Sequence, residues 1–214
     1  YMVAVSALGS PLVYLLARQI YPKLPLVAIL AGVGWAVYPP AIWYGSNILT
    51  ETMGAVLVAA SVASYFWSAR SGNLWAAGLT GAIWGLAALN RSSFVLLPFF
   101  ILGVQLLLRR AGAEMRLDRR QWLLAFVAVA LVLSPWVVRN YLVHGVFMPG
   151  ESRAGYVLYI SNGTLNDPNI QAGKYFKNPD ASWVGAQGAA EAETDATLRR
   201  LAIDEIKKNW RLLP

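Results

Sequence analysis

Six apolar runs fill most of the first 140 residues, at about 2–17, 24–43, 52–68, 74–90, 92–108 and 121–138. Crossing the hydrocarbon layer takes about 17–25 helical residues, and only a helix or a closed barrel satisfies its own backbone in lipid. Runs of this length, joined by short charged turns, predict an all-α polytopic membrane protein with about six transmembrane helices. Composition agrees: 57% of the chain is hydrophobic and only 14% is charged, against roughly 25% charged in a soluble domain.

The apolar character stops near residue 140, which divides the chain into a transmembrane helical bundle (1–140) and an external, mixed juxtamembrane region (141–214). In the second part, Tyr156-Val157-Leu158-Tyr159-Ile160 reads as a short strand ending at the turn Ser161-Asn162-Gly163. Residues 165–188 read as loop. From about 189 to 209 the pattern becomes an amphipathic helix, with Leu198, Leu201, Ile203 and Ile206 on its apolar face, expected to lie on the membrane or lead into another span. Small residues along two runs (Ala55, Ala59, Ala60 and Ala63; Gly78, Gly81, Ala82, Gly85 and Ala88) predict close helix packing.

Charge orients the bundle. Alternate turns carry Arg18, Lys23, Arg70, Arg109, Arg110, Arg116, Arg119 and Arg120, whereas the intervening turns carry Arg91 alone. Under the positive-inside rule the arginine-rich turns are cytoplasmic, and Glu51, Arg91 and residues 139–214 face the periplasm or exterior. The net charge of +7 is largely this bias, so nucleic acid is not an expected partner. The chain has no Cys, hence no disulfide framework and no cysteine nucleophile. It also has no Gly-rich phosphate loop, no nucleophile elbow and no His-Glu-x-x-His, so no nucleotide cofactor is expected.

Candidate chemistry gathers at the outer face. Ala36 to Thr52 joins two apolar runs through Tyr38-Pro39-Pro40, Trp43, Tyr44 and Gly45-Ser46-Asn47, and reads as an interface loop ending at Glu51, the only acidic residue before Glu114. Glu51 has two readings: a functional carboxylate at the edge of hydrocarbon, or a residue favouring the positive end of the next helix. Arg91, in a very short turn, is either a phosphate fork or an arginine snorkelling to headgroups. Ser134-Pro135-Trp136-Val137-Val138-Arg139-Asn140-Tyr141 ends a run and is followed by His144, which is either a metal or proton site or a structural histidine. Asn162-Gly163-Thr164 is formally a glycosylation sequon, for which a tight turn is sufficient explanation.

Three segments together resemble one family. They are Tyr38-Pro39-Pro40 with Leu49-Thr50-Glu51-Thr52; Gly81-Ala82-Ile83-Trp84-Gly85-Leu86-Ala87-Ala88-Leu89-Asn90-Arg91; and Ser134 to Tyr141 with His144-Gly145. In order and spacing they are similar to the bacterial GT-C glycosyltransferases of the family-39 type, relatives of the protein O-mannosyltransferases and the lipid A aminoarabinose transferase. The resemblance covers most of residues 30–165. It implies sugar transfer from a polyprenyl-phosphate donor to a lipid, glycan or protein acceptor at the external face, within membrane lipid. It implies that Glu51 is the second acidic position, near the donor or a divalent cation, with His144 as a further metal candidate. Arg91 and Arg139 would hold the carrier phosphate, and Tyr44, Asn47, Asn140, His144 and Asn162 would shape the pocket. The family's catalytic aspartate lies in an earlier loop, and no Asp precedes Asp118 here.

That aspartate is therefore expected upstream, in keeping with a chain that opens inside an apolar run and closes at Trp210-Arg211-Leu212-Leu213-Pro214, as an internal piece of a longer protein would. Two other classes compete with the transferase reading. One is a non-enzymatic transporter or lipid-carrier-binding protein, of which a transporter should show broken helices in matching halves and ionisable groups near mid-membrane. The other, a structural assembly subunit, should tolerate replacement of Glu51 and Arg91.

Overall fold

The computed structural model describes residues 2–47, 50–110, 116–145, 154–162 and 189–209, and among these every element is helical. They belong to two compact units, Tyr1–Ser134 and Pro135–Pro214.

In the first unit, α1 (Met2–Ile20) turns through Pro22-Lys23 into α2 (Pro25–Val37), and α3 (Pro39–Ser46) follows after a single residue. That residue, Tyr38, precedes a proline and takes extended angles (φ −70°, ψ 113°), the conformation a following Pro imposes. Pro39 then occupies the first turn of the next helix, where its missing N–H is harmless. The result is one apolar stretch bent by 47°. The sequence reading of an interface loop over Tyr38–Ser46 is corrected here: a proline pair that breaks one helix also starts another. Ile48 and Leu49 lie outside the described residues.

Helix α4 (Thr50–Ser71) reverses at Gly72, whose positive φ of 63° suits a residue without Cβ, into α5 (Leu74–Asn90). Asn73 caps α5 by accepting from the Trp75 backbone N–H at 3.1 Å. A 3-10 turn (Ser92–Leu96) leads into α6 (Leu97–Arg110), and α7 (Arg119–His144) runs from the first unit into the second. The start of α7 is a capping box: Asp118 Oδ1 accepts from the Gln121 N–H at 2.7 Å while Gln121 Oε1 accepts from the Asp118 N–H at 2.9 Å.

The core lies among α4, α5, α6 and α7, where Tyr65, Trp84, Leu117, Trp122 and Ala125 are buried together. Gly81 and Gly85 make the contact of α5 with α7 possible: a Cβ on Gly81 would collide with the Ala125 carbonyl, and one on Gly85 would come within 2.7 Å of Val132 Cβ. The small-residue seam read from the sequence is thus the α5–α7 contact. One buried amide ties the cluster. Gln105 Oε1 accepts from Tyr65 Oη (2.8 Å), Trp122 Nε1 (3.2 Å) and the Leu117 N–H (3.0 Å), and its Nε2 donates to the Leu117 carbonyl (3.1 Å).

Burial is distributed as lipid would require. Small and hydroxylic residues such as Ser61, Ser68, Thr80 and Ala76 are inside, while Phe100 (69% exposed), Leu107 (66%) and Leu131 (67%) face out. In water such an apolar exterior would drive aggregation; against hydrocarbon it is neutral. The buried hydroxyls bond back to their own helix, Ser61 to Leu57 O at 2.6 Å and Thr80 to Ala76 O at 2.8 Å. By length and composition α1, α4 and α7 can each cross a membrane, and the bent pair α2–α3 makes a fourth if it is one span. The remaining two runs form shorter apolar helices, Leu74–Asn90 and Ser92–Leu108.

In the second unit, α8 (Ala154–Asn162) packs on α9 (Ala189–Asn209). The strand expected at Tyr156–Ile160 is helical instead. A five-residue apolar run has no periodicity that separates strand from helix, and here packing decides. Gly155 lets α8 approach α9 so closely that a Cβ would strike the Asp195 carbonyl, and its N–H donates to the buried Asp195 Oδ1 at 2.6 Å. Helix α9 covers the residues where the amphipathic pattern places one, but Leu198 and Ala202 are the buried apolar residues, whereas Leu201 (46% exposed) and Ile203 (38%), read on the apolar face, are exposed. Residues 165–188, read as loop, lie outside the described residues.

Candidate functional site

Glu51 sits in the first turn of α4, where a carboxylate meets the positive end of the helix dipole. Arg91 follows the last residue of α5 in extended conformation (φ −146°, ψ 127°), its N–H closing the helix on Ala87 O at 3.0 Å. The α4–α5 hairpin brings these two ends together across 40 residues of chain, with Arg91 Nη1 3.3 Å from Glu51 Oε1. Beside the pair, Asn90 Nδ2 donates to Thr50 O at 3.2 Å. Gly54 gives the close approach: a Cβ there would stand 3.2 Å from Asn90 Nδ2 and 3.3 Å from the Phe94 ring.

About half of each charged side chain remains exposed, 49% for Arg91 and 45% for Glu51. A half-exposed pair in water contributes only about 0.2–1 kcal/mol, so an arriving anion can re-partner the guanidinium at little cost. Arg91 spends one nitrogen on Glu51, and the rest of its five-donor fork has no partner among the described residues. The arrangement can therefore hold an anion on the open donors of Arg91, with Glu51 beside the guanidinium. One residue further on, Thr52 Oγ1 is buried with no hydrogen-bond partner among the described residues.

The other candidates divide. Tyr44 is exposed and stacks edge-on against Trp43 with ring centroids 5.0 Å apart. Asn47 closes α3 by donating to Trp43 O at 2.7 Å, with a second contact to Ser46 Oγ at 3.3 Å; its amide serves the helix end. Arg139 and Asn140 lie on the part of α7 that belongs to the second unit. There the Arg139 guanidinium stacks over the Trp136 ring at 5.3 Å and its Nη1 donates to the buried Asn140 Oδ1 at 3.1 Å. His144 and Asn162 end α7 and α8 respectively, and their side chains lie outside the described residues. Gly145 follows at φ 69°, an αL residue that terminates α7.

No group of three His, Asp or Glu residues comes together among the described residues to hold a metal ion. Glu51 is instead turned toward a cation of the protein's own.

A cavity of about 410 Å³ opens at the elbow of α2 and α3 against α1, lined by Ser6, Ser10, Trp35, Ile42, Gly45 and Ser46 among others. Its walls are fastened by Ser6 Oγ donating to Ala41 O at 3.0 Å, Ser10 Oγ to Gly32 O at 2.8 Å and Trp35 Nε1 to Ser6 O at 3.1 Å. The sequence reading missed this cavity, and it passed over Asn90 as a clamp although that residue stands beside Arg91. Comparison with protein-family models, curated proteins and solved structures finds no match for this chain.

Proposed function

We propose that the chain is part of a membrane glycosyltransferase that moves a sugar from a polyprenyl-phosphate donor to a lipid, glycan or protein acceptor. The observation that carries the reading is the Arg91–Glu51 pair, held where two apolar helices end and half open to solvent. In the reaction the acceptor oxygen bonds to the anomeric carbon as the bond from that carbon to the carrier phosphate breaks. The phosphate leaves with the bonding electrons, and the acceptor proton passes to a general base. Negative charge grows on the leaving phosphate, and a fixed guanidinium fork there stabilises the transition state more than the ground state. Arg91 supplies that fork and Glu51 orients it; Arg139, in the second unit, is proposed as a phosphate ligand on the resemblance alone. Tyr44 remains a proposed pocket residue of the first unit, whereas the Asn47 amide is spent on its own helix end; Asn140, His144 and Asn162, in the second unit, are proposed on the resemblance alone.

The proposed topology counts six crossings by including the two shorter helices. It sets the Glu51 end on the external side from the charge bias of the turns, and the resemblance makes that membrane a bacterial inner membrane. A purified full-length protein incubated with radiolabelled polyprenyl-phosphate sugars and envelope acceptors tests the reading. Label should leave the carrier fraction for at least one sugar, and retention of all label on every donor would refute transfer.

One observation favours a transporter. The 47° break between α2 and α3 is the kind of discontinuous helix at which transporters bind cargo. The described residues show one such break, without a counterpart elsewhere. Carrier bound without turnover, and moved across a sealed vesicle, would support that reading over transfer.

A further inference from the structure

The end of the first unit opposite Glu51 gathers positive charge. Gln121 Nε2 of α7 donates to Ser68 O of α4 at 3.0 Å, and Arg70 of α4 donates to Gln19 O near the end of α1. These bonds draw the end of α1, the end of α4 and the start of α7 into one cluster. Arg18, Lys23, Arg70, Arg116, Arg119 and Arg120 are exposed on it. The acidic residue that accompanies them among the described residues, Asp118, has its Oδ1 committed to the α7 cap.

Two features distinguish this surface from charges left to water. Arg119 and Arg120 occupy the first turn of α7, which has no acidic residue; there the positive end of the helix dipole disfavours cations and attracts anions. Lys23, Arg116, Arg119 and Arg120 have no carboxylate partner among the described residues. The second feature is aromatic. Trp67 and Trp75 meet edge-on at 5.3 Å beside the α4–α5 turn and stay exposed, as does Tyr21 in the α1–α2 turn. Amphipathic rings of this kind settle at headgroup depth.

We propose that this end of the unit is an interaction surface for anionic phospholipid headgroups, with the arginine forks holding their phosphates. Charge complementarity selects the occupant: a phosphate presented at the depth of the aromatic girdle, above a bundle whose outer faces are apolar. The proposal stands apart from sugar transfer, which concerns the opposite end.

Native mass spectrometry of the purified full-length protein in detergent, titrated with phosphatidylglycerol or phosphatidylcholine, tests it. Adducts should form with phosphatidylglycerol in preference to phosphatidylcholine. Each basic residue near a membrane surface contributes about fivefold to anionic-lipid affinity, so Arg119→Ala/Arg120→Ala should weaken phosphatidylglycerol binding about tenfold or more. Arg200→Ala, an exposed charge removed from the other unit, should leave it unchanged. Equal binding by wild type and the double variant, or an equal loss with Arg200→Ala, would overturn the proposal. Wild-type binding must also fall steeply with added salt; salt-independent binding would overturn it without any variant.

Discussion

Asn90 Nδ2 donates to Thr50 O, so the last residue of α5 is fastened to the first residue of α4 at 3.2 Å. The neighbouring ion pair, Arg91 to Glu51, depends on that clamp for its alignment, because each charge sits one residue beyond a clamped one. Replacing Asn90 by Ala should lower stability by about 1 kcal/mol, the net value of a hydrogen bond. If the proposed transferase function holds, it should also reduce transfer about tenfold through kcat, since on that proposal a displaced guanidinium loses its aim at the transition state before it loses ground-state binding. Unfolding in detergent and steady-state kinetics read the two effects separately.

Gln105 should be the least replaceable polar residue of the first unit. Gln105→Leu strips partners from Tyr65 Oη, Trp122 Nε1 and both backbone groups of Leu117. Each buried group left unpaired costs about 1–3 kcal/mol, so the loss should reach about 3 kcal/mol or more. Gln105→Glu keeps an acceptor and should lose less if the carboxyl enters protonated. Thermal unfolding of both variants in detergent decides.

Gly81 and Gly103 make an internal contrast. A Cβ on Gly81 strikes the backbone of α7, whereas one on Gly103 of α6 meets nothing within 4 Å. Gly81→Ala should destabilise by about 1–3 kcal/mol, as overpacking does. Gly103→Ala should be neutral or stabilise by about 1 kcal/mol, from helix propensity alone. Similar unfolding midpoints for the two variants would contradict the α5–α7 contact.

Asp195 should hold the second unit together. It accepts from the Gly155 N–H at 2.6 Å and from Arg199 Nη2 at 2.9 Å while itself buried. Asp195→Ala leaves a buried N–H unanswered and should expose α8 to limited proteolysis, with α1–α6 unaffected. Protease mapping reads this directly.

Helix content, the α5–α7 seam and the amphipathic α9 were legible because each rests on a periodic pattern or on residue size. Glu51 and Arg91 were legible as charges out of place in an apolar chain, and the hairpin between them made their meeting a matter of register. Other features depend on packing partners far along the chain. The Tyr156–Ile160 run became helix because Gly155 meets Asp195, 40 residues away. Asn47 looked like a pocket residue but is consumed by its own helix end. The proline pair was read as a loop because Pro stops a helix, yet it can equally open the next. The elbow cavity follows from the resulting bend together with the packing of α1 against it, and that distant partner is what no local pattern encodes.

The central claim is tested most directly by transfer kinetics on a labelled polyprenyl-phosphate sugar, comparing wild type with Glu51→Gln, Arg91→Ala and the double variant. Each single variant should lose roughly 10²–10³ in kcat, the scale of one lost oxyanion donor. The double should lose little more than either, because the two residues act as one unit. Wild-type turnover in both single variants, with the proteins correctly inserted, would contradict the account.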